Sequence, residues 1–153
     1  MAVKEGDIFP AIAAQTHTGE NINLAEYRGR RHVVLYFYPR DLTPGCSREA
    51  IDFDRKVKEF AALDAVVLGM SVDSLDSHQN FANALGLSFS LLSDEDRSIS
   101  QQLGILRENP KGQYARRVTF LIDKSGVVRR IFHVETVDGH VDEVLAAVQQ
   151  LAP

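Results

Sequence analysis

An unbroken apolar run early in the chain constrains the fold more strongly than any other stretch. Residues 31–39 read RHVVLYFYP, a stretch rich in β-branched and aromatic side chains that ends at a proline. A strand with one face in water alternates apolar and polar residues, whereas a strand buried on both faces is apolar throughout. The run therefore predicts a central strand in a sheet that other elements cover on both sides.

Strands and helices alternate along the rest of the sequence. Apolar residues at helical spacing and short apolar runs predict, in order, a helix at 44–62, a strand at 64–71, a helix at 75–85 capped by Gly86, a strand at 89–94, a short helix around 97–103, and two strands joined by a turn within 116–134. A last amphipathic helix is predicted from the spacing of Val141, Val144, Leu145, Val148 and Leu151. This order predicts an α/β fold with a mixed central β-sheet flanked by helices on both faces, as one domain over residues 1–153.

Two local expectations follow from charge and polarity. The segment ENPKGQ, residues 108–113, is predicted to be a polar loop between the short helix and the strand pair. The last helix is expected to carry Asp138, Asp142 and Glu143 in its first turn, where the helix dipole favours negative charge.

Composition excludes several classes of protein. The formal net charge is −4 and no basic stripe interleaved with aromatic residues is present, so nucleic acid is not expected as a partner. No stretch approaches the roughly 18 consecutive apolar residues that a membrane span needs. The histidines lack metal-ligand spacing and the glycines form no phosphate-binding loop, so we expect neither a metal nor a nucleotide cofactor. With one cysteine and no apolar leader, we expect a cytoplasmic protein.

The only cysteine follows a Thr-Pro-Gly turn directly after the central strand. Residues 41–50 read DLTPGCSREA. If Thr43 caps the helix, Pro44 occupies the first helical position and Cys46 the third. The positive end of a helix favours a thiolate there, and the thiolate is the nucleophilic form of cysteine.

A second interpretation of Cys46 is inert packing. The residue is in phase with the apolar helix positions Ala50, Phe53, Val57 and Phe60, so it could simply extend the buried face. The capped turn favours reactivity, because core packing does not require one and reactive groups in α/β folds lie at the carboxyl ends of strands.

The stretch YFYPRDLTPGCSREA resembles the active site of the peroxiredoxins, whose pattern is Pro-x-x-x-Thr/Ser-x-x-Cys; Pro39, Thr43 and Cys46 match it. The stretches SVDSLDSHQNFA, LLSDED and RRVTFLID resemble the PrxQ branch, the bacterioferritin comigratory proteins, in order and spacing. The resemblance implies a thioredoxin-like domain of the AhpC/TSA type that acts as a thiol-dependent peroxidase. It further implies that Cys46 attacks the peroxide and becomes a sulfenic acid, with Thr43 as hydrogen-bond partner and Pro39 as shield.

The family also uses an arginine from a distant strand. Adjacent strand residues face opposite sides, so only one of Arg116 and Arg117 should reach the pocket, and alternation does not say which. The resemblance selects Arg117 and implies that Glu49 orients it. Without the resemblance, either arginine would be a surface charge and Glu49 an exposed residue favoured by the helix dipole.

The chain departs from many relatives in lacking a resolving cysteine. Ile51 and Ala82 stand at the two positions where the resemblance would place one. The sulfenic acid must then be reduced by an external thiol: thioredoxin, glutaredoxin or a low-molecular-weight thiol. A peroxide sensor that passes oxidation to a partner protein, and an inert thioredoxin-like binding module, remain as alternative hypotheses. Monomer and homodimer both stay open.

Overall fold

A computed structural model describes residues 2–151. The strands are β1 (Ala13–Gln15), β2 (Asn21–Asn23), β3 (His32–Phe37), β4 (Ala65–Ser71), β5 (Ser90–Ser93), β6 (Leu106–Asn109), β7 (Gly112–Ala115), β8 (Val118–Ile122) and β9 (Val128–His133). The helices are α1 (Pro44–Ala62), α2 (Leu75–Leu85), α3 (Ser98–Gln102) and α4 (His140–Gln149), with a 3-10 helix at Leu24–Tyr27.

The central sheet has five strands in the order β5-β4-β3-β8-β9. Strand β3 runs parallel to β4 and antiparallel to β8, and every residue of β3 is buried. The predicted mixed sheet and its fully buried central strand are therefore confirmed. Because β8 enters the sheet beside β3, the residue just before β8 lies next to the carboxyl end of β3.

Alternate residues of β3 point into two separate cores. Val34 and Tyr36 pack in the core that holds α1, α2 and α4. Val33, Leu35 and Phe37 pack in the opposite core, which contains α3 and apolar residues of the N-terminal segment. This alternation follows from the strand geometry, and it confirms helices on both faces of the sheet.

The boundaries of two helices agree closely with the sequence patterns. Both α1 and α2 have the predicted limits, and Gly86 ends α2 in the left-handed conformation at φ 64°. No helix within residues 2–151 has the length and hydropathy needed to cross a lipid bilayer.

Two short hairpins were not predicted. The β1–β2 pair joins Ala13–Gln15 to Asn21–Asn23, and the predicted polar loop at 108–113 is wrong because it forms most of the β6–β7 hairpin. The strands of both hairpins have only three or four residues, so they are too short to show the apolar alternation that marks a strand. Cross-strand contacts accompany the second one: Arg107 lies 6.0 Å from the centre of the Tyr114 ring.

The start of the last helix also differs from expectation. Helix α4 begins at His140 after Gly139, whose φ of 76° suits glycine, so Asp138 lies outside the first turn. Asp138 instead pairs with Arg48 of α1 at 2.5 Å. Asp142 and Glu143 lie in the first turn as predicted.

Candidate active site

Cys46 occupies the predicted third position of α1. Thr43 precedes the helix in an extended conformation, with φ −83° and ψ 154°, and Pro44 is the first helical residue. Cys46 is only 2% exposed and packs in the same core as Ala50 and Phe53, so the inert-packing interpretation was correct about its burial. Its sulfur nevertheless has a charged neighbour, which a purely apolar position would not require.

That neighbour is Arg117. Its Nη2 atom donates a hydrogen bond to Cys46 Sγ at 3.2 Å, and its Nη1 donates to Glu49 Oε1 at 2.5 Å. Arg117 directly precedes β8, and Arg116 beside it is exposed to solvent. Strand alternation left open which of the two arginines reaches the pocket, and in the structure it is Arg117 that contacts the sulfur.

Glu49 lies completely inside the protein. Its side chain has no exposed surface, so the alternative of a solvated first-turn glutamate is wrong. Burial raises the pKa of Glu49 to about 7, although the adjacent Arg117 guanidinium acts in the opposite direction. Its second carboxylate oxygen has no hydrogen-bond partner among the described residues. Near neutral pH, Glu49 therefore populates both its charged and its neutral form.

Pro39 and Thr43 lie on the loop between β3 and α1. Thr43 Oγ1 donates to the backbone carbonyl of Arg40 at 3.0 Å and makes no capping hydrogen bond to α1. Pro39 is half-buried and follows the fully buried Tyr38. The roles of Thr43 as hydrogen-bond partner and Pro39 as shield of the sulfur stay predictions.

Two further polar groups near the site, Tyr36 and His140, are not among the site residues predicted from the sequence. The Tyr36 hydroxyl is buried without a hydrogen-bond partner among the described residues, and its pKa is raised well above the ordinary value by burial and then by Glu49. His140 Nε2 shares a 2.8 Å hydrogen bond with Thr119 Oγ1, and burial, followed by repulsion from Arg117, lowers its pKa to about 4. The apolar run of β3 indicates that Tyr36 is buried, whereas no sequence pattern indicates that His140 lies near the site.

The arrangement suits charge transfer at a sulfur atom. Cys46 lies in the first turn of α1, at the positive end of the helix dipole, and the guanidinium of Arg117 adds a fixed positive charge. Such groups stabilise a thiolate and also the negative charge that develops on an oxygen leaving from it.

Comparison with known proteins agrees with this geometry. The AhpC/TSA family model matches residues 6–131. Peroxiredoxin Bcp of Bacillus subtilis is 36% identical over 156 residues, which cover 99% of each chain.

Solved structures show the same likeness. The crystal structure of peroxidoxin BcpB from Mycobacterium tuberculosis superposes with a TM-score of 0.90 at 32% identity, over 98% of this chain and 99% of that one. A mutant PrxQ of Xylella fastidiosa superposes with a TM-score of 0.89 at 30% identity, over 95% of both chains. The chain belongs to the AhpC/TSA family and is a peroxiredoxin of the Bcp and PrxQ type.

Proposed function

We propose that this peroxiredoxin reduces hydrogen peroxide and organic hydroperoxides through a sulfenic acid on Cys46, which an external thiol then reduces. The hydrogen bond from Arg117 Nη2 to Cys46 Sγ carries the proposal, because it directs a positive charge at the sulfur. We further propose that the reaction serves antioxidant defence and redox homeostasis in the cytoplasm, since a lone thiol needs a reducing compartment to be regenerated.

The oxidative step forms one bond and breaks one. The Cys46 thiolate attacks a peroxide oxygen, an S–O bond forms, and the O–O bond breaks as the sulfur loses two electrons. The electron pair leaves with the second oxygen, which takes up a proton and departs as water or an alcohol. In this proposal Arg117, which donates to the sulfur, stabilises both the attacking sulfur and the departing oxygen.

The reductive step depends on thiols from outside the chain. The sequence contains a single cysteine, so no disulfide can form within one chain. A first thiol condenses with the sulfenic acid, releasing water and leaving a mixed disulfide on Cys46. A second thiol attacks the mixed disulfide, frees Cys46 and departs as part of a disulfide. Thioredoxin, glutaredoxin and low-molecular-weight thiols are the reductants to compare.

Peroxide consumption with dithiothreitol as reductant tests the assignment. We expect Cys46→Ser to reduce consumption to the uncatalysed background. Arg117→Lys keeps the positive charge but loses the two-pronged geometry, so we expect the rate of Cys46 oxidation to fall by about 10- to 100-fold. A Cys46→Ser protein that retains the wild-type rate would overturn the proposal.

A peroxide sensor is the second candidate, and the single cysteine favours it. Ile51 and the buried Ala82 stand at the positions where the resemblance would place a resolving cysteine, so the sulfenic acid on Cys46 has no thiol of its own chain to react with. Intact-mass analysis after one equivalent of peroxide, and again after each candidate thiol, separates the two functions. Fast removal of the added oxygen by small thiols supports the peroxidase, whereas slow removal with a trapped partner protein supports the sensor.

A further inference from the structure

A buried polar cluster lies behind the loop that leads into α1. Asp41 Oδ1 accepts a hydrogen bond from the Tyr38 hydroxyl at 2.6 Å, and Asp41 Oδ2 accepts one from Ser77 Oγ at 2.8 Å. His78 Nδ1 lies 2.7 Å from the same Oδ2 atom. The side chains of Asp41 and His78 are 1% and 0% exposed. We name Tyr38, Asp41, Ser77 and His78 the Asp41 clasp.

The hydrogen bonds determine how many protons the clasp holds. His78 Nε2 lies 2.7 Å from the carbonyl oxygen of Leu92, which can only accept, so Nε2 carries a proton. A proton must also lie between Nδ1 and Asp41 Oδ2, since two lone pairs would repel each other at 2.7 Å. The pair is thus held together by a shared proton in a dry environment, where such a bond is strong and costly to break.

The loop held by the clasp contains a strained residue. Leu42, between Asp41 and Thr43, has a φ of 66° and is 60% exposed. A leucine in this left-handed region is strained, because its Cβ crowds the following carbonyl oxygen, and the exposed side chain makes little contact to offset the strain. Asp41 supplies the offset, because its side chain is anchored and its backbone N–H also donates to Asp73 Oδ2 at 2.9 Å.

The geometry points to Asp41 and His78 as positioning residues for Cys46. The clasp holds Leu42 in its strained turn, and that turn directs the chain so that α1 begins at Pro44. The start of α1 in turn determines where Cys46 Sγ meets Arg117 Nη2. His78 thereby connects α2 to the reactive sulfur without touching it. This inference rests on the proposed function, because it concerns the rate at which Cys46 reacts with peroxide.

Two members of the clasp, Asp41 and His78, also fit a metal site together with Asp73 on distance alone. Ligand atoms of Asp41, Asp73 and His78 lie within 4.8 Å of one another. Both carboxylate oxygens of Asp41 and both ring nitrogens of His78 are, however, already occupied by hydrogen bonds. The cluster is therefore better described as a clasp than as a metal centre.

Two matched substitutions separate the two contacts of His78. His78→Asn places an amide donor near the position of Nδ1, so it keeps a hydrogen bond to Asp41 and loses the one to Leu92. His78→Gln places its amide donor near Nε2, so it keeps Leu92 and loses Asp41. Both replace the imidazole by an amide and remove one buried hydrogen bond. A purely structural role for His78 would make the two variants equally defective.

The readout is the rate at which stoichiometric peroxide oxidises Cys46, followed by intact mass well below each variant's unfolding temperature. We expect His78→Gln to slow this step by about tenfold or more and His78→Asn by less than about threefold, because small displacements of reacting groups are costly. Adding Leu42→Asn to His78→Gln should recover part of the rate, since asparagine tolerates the left-handed turn.

Tyr38→Phe keeps the test decisive should His78→Gln fail to fold. It removes one donor to Asp41 at nearly constant volume, and we expect a smaller fall of about threefold. A wild-type rate in Tyr38→Phe, or in a folded His78→Gln, would overturn the inference, as would equal losses in His78→Asn and His78→Gln. A wild-type Cys46 that resists peroxide would instead overturn the proposed function, so the two failures are distinguishable.

Discussion

At the scale of single residues, the ion pair beside Cys46 combines two opposing demands. Arg117 needs the Glu49 carboxylate as a partner, because Nη1 donates to Oε1 while Nη2 points at the sulfur. Burial disfavours that carboxylate and raises the pKa of Glu49 to about 7. Above about pH 7 the Glu49 carboxylate is charged and holds Arg117 most firmly. In the same pH range the burial of that charge lowers the stability of the fold.

The free energy of unfolding should depend on pH because of the buried Glu49 carboxylate. The folded-state pKa of Glu49 lies above the ordinary value of 4.5, so the folded state binds the proton more tightly than the unfolded state does. The contribution of Glu49 to stability is full below about pH 4.5 and is lost as the pH rises toward about 7. We expect the free energy of unfolding of Glu49→Gln, relative to wild type, to rise by about 2 kcal/mol over this range.

Urea unfolding of both proteins at a series of pH values measures the difference. All other titrating groups are present in both proteins, so their contributions to the pH dependence cancel in the difference between the two free energies of unfolding. Parallel pH profiles for the two proteins would show that Glu49 does not titrate between pH 4.5 and 7.

At the scale of elements, β3, β4 and α1 meet around one aromatic ring. Tyr36 of β3 is paired in register with Gly69 of β4, and its ring stacks on Phe53 of α1 with centroids 4.5 Å apart. Phe53 lies seven residues after Cys46 on the same helix. A glycine at position 69 leaves the space that the Tyr36 ring occupies, so the stack that supports α1 depends on it.

A methyl group at position 69 should disrupt this contact. A Cβ there would lie 2.9 Å from both Tyr36 Cζ and Leu91 Cδ2, closer than van der Waals contact allows. We expect Gly69→Ala to lower the free energy of unfolding by about 2 kcal/mol, as overpacking does elsewhere. Urea unfolding provides the measurement.

Gly45→Ala is the matched control for this change. Its Cβ would meet only Arg117 Nη2, at an ordinary contact distance of 3.4 Å, and position 45 is helical. We expect no loss of stability, because alanine has the better helix propensity. Equal stability of Gly69→Ala and wild type would show that the Tyr36 ring moves aside without cost.

At the scale of the whole molecule, His140 joins the sheet to the helical layer. Its ring contacts Phe53 of α1 and Phe132 of β9 edge-on, and its Nε2 shares a hydrogen bond with Thr119 of β8. Burial lowers the pKa of His140 to about 4, with Arg117 adding to the effect. The folded protein therefore keeps this histidine neutral where an unfolded chain would protonate it.

Acid should weaken the fold through this residue. Between about pH 6.5 and 4 the unfolded state binds the proton and the folded state does not, so the contribution of His140 to stability is full above pH 6.5 and is lost as the pH falls. His140→Gln can keep a hydrogen bond to Thr119 and has no such proton. Over this range the free energy of unfolding of both proteins should fall, and we expect the loss in His140→Gln to be smaller than the loss in wild type by about 1–2 kcal/mol.

Thermal and urea unfolding at pH 7 and pH 4.5 provide the comparison. His133→Gln is the control, because His133 is exposed at the end of β9. Should His140→Gln lose as much stability in acid as His133→Gln does, His140 is not the group responsible.

Much of the fold follows from short-range patterns. The limits of α1 and α2 follow from the Thr-Pro turn and from Gly86, which act on their own neighbours in the chain. The burial of β3 follows from its unbroken apolar run. The β1–β2 and β6–β7 hairpins could not be predicted in this way, because strands of three or four residues are too short to show an apolar period.

The sequence by itself determined the order of the central-sheet strands and of the helices along the chain, the limits of α1 and α2, and the position of Cys46 at the start of α1, because propensity and periodicity are local properties. Only the tertiary structure decided that Glu49 is buried, that Arg117 is the arginine at the sulfur, and that Asp41 meets His78. Arg117 is 71 residues from Cys46, and His78 is 37 residues from Asp41. Burial and electrostatic pairing depend on such distant contacts, and these exist only once the sheet has brought the segments together.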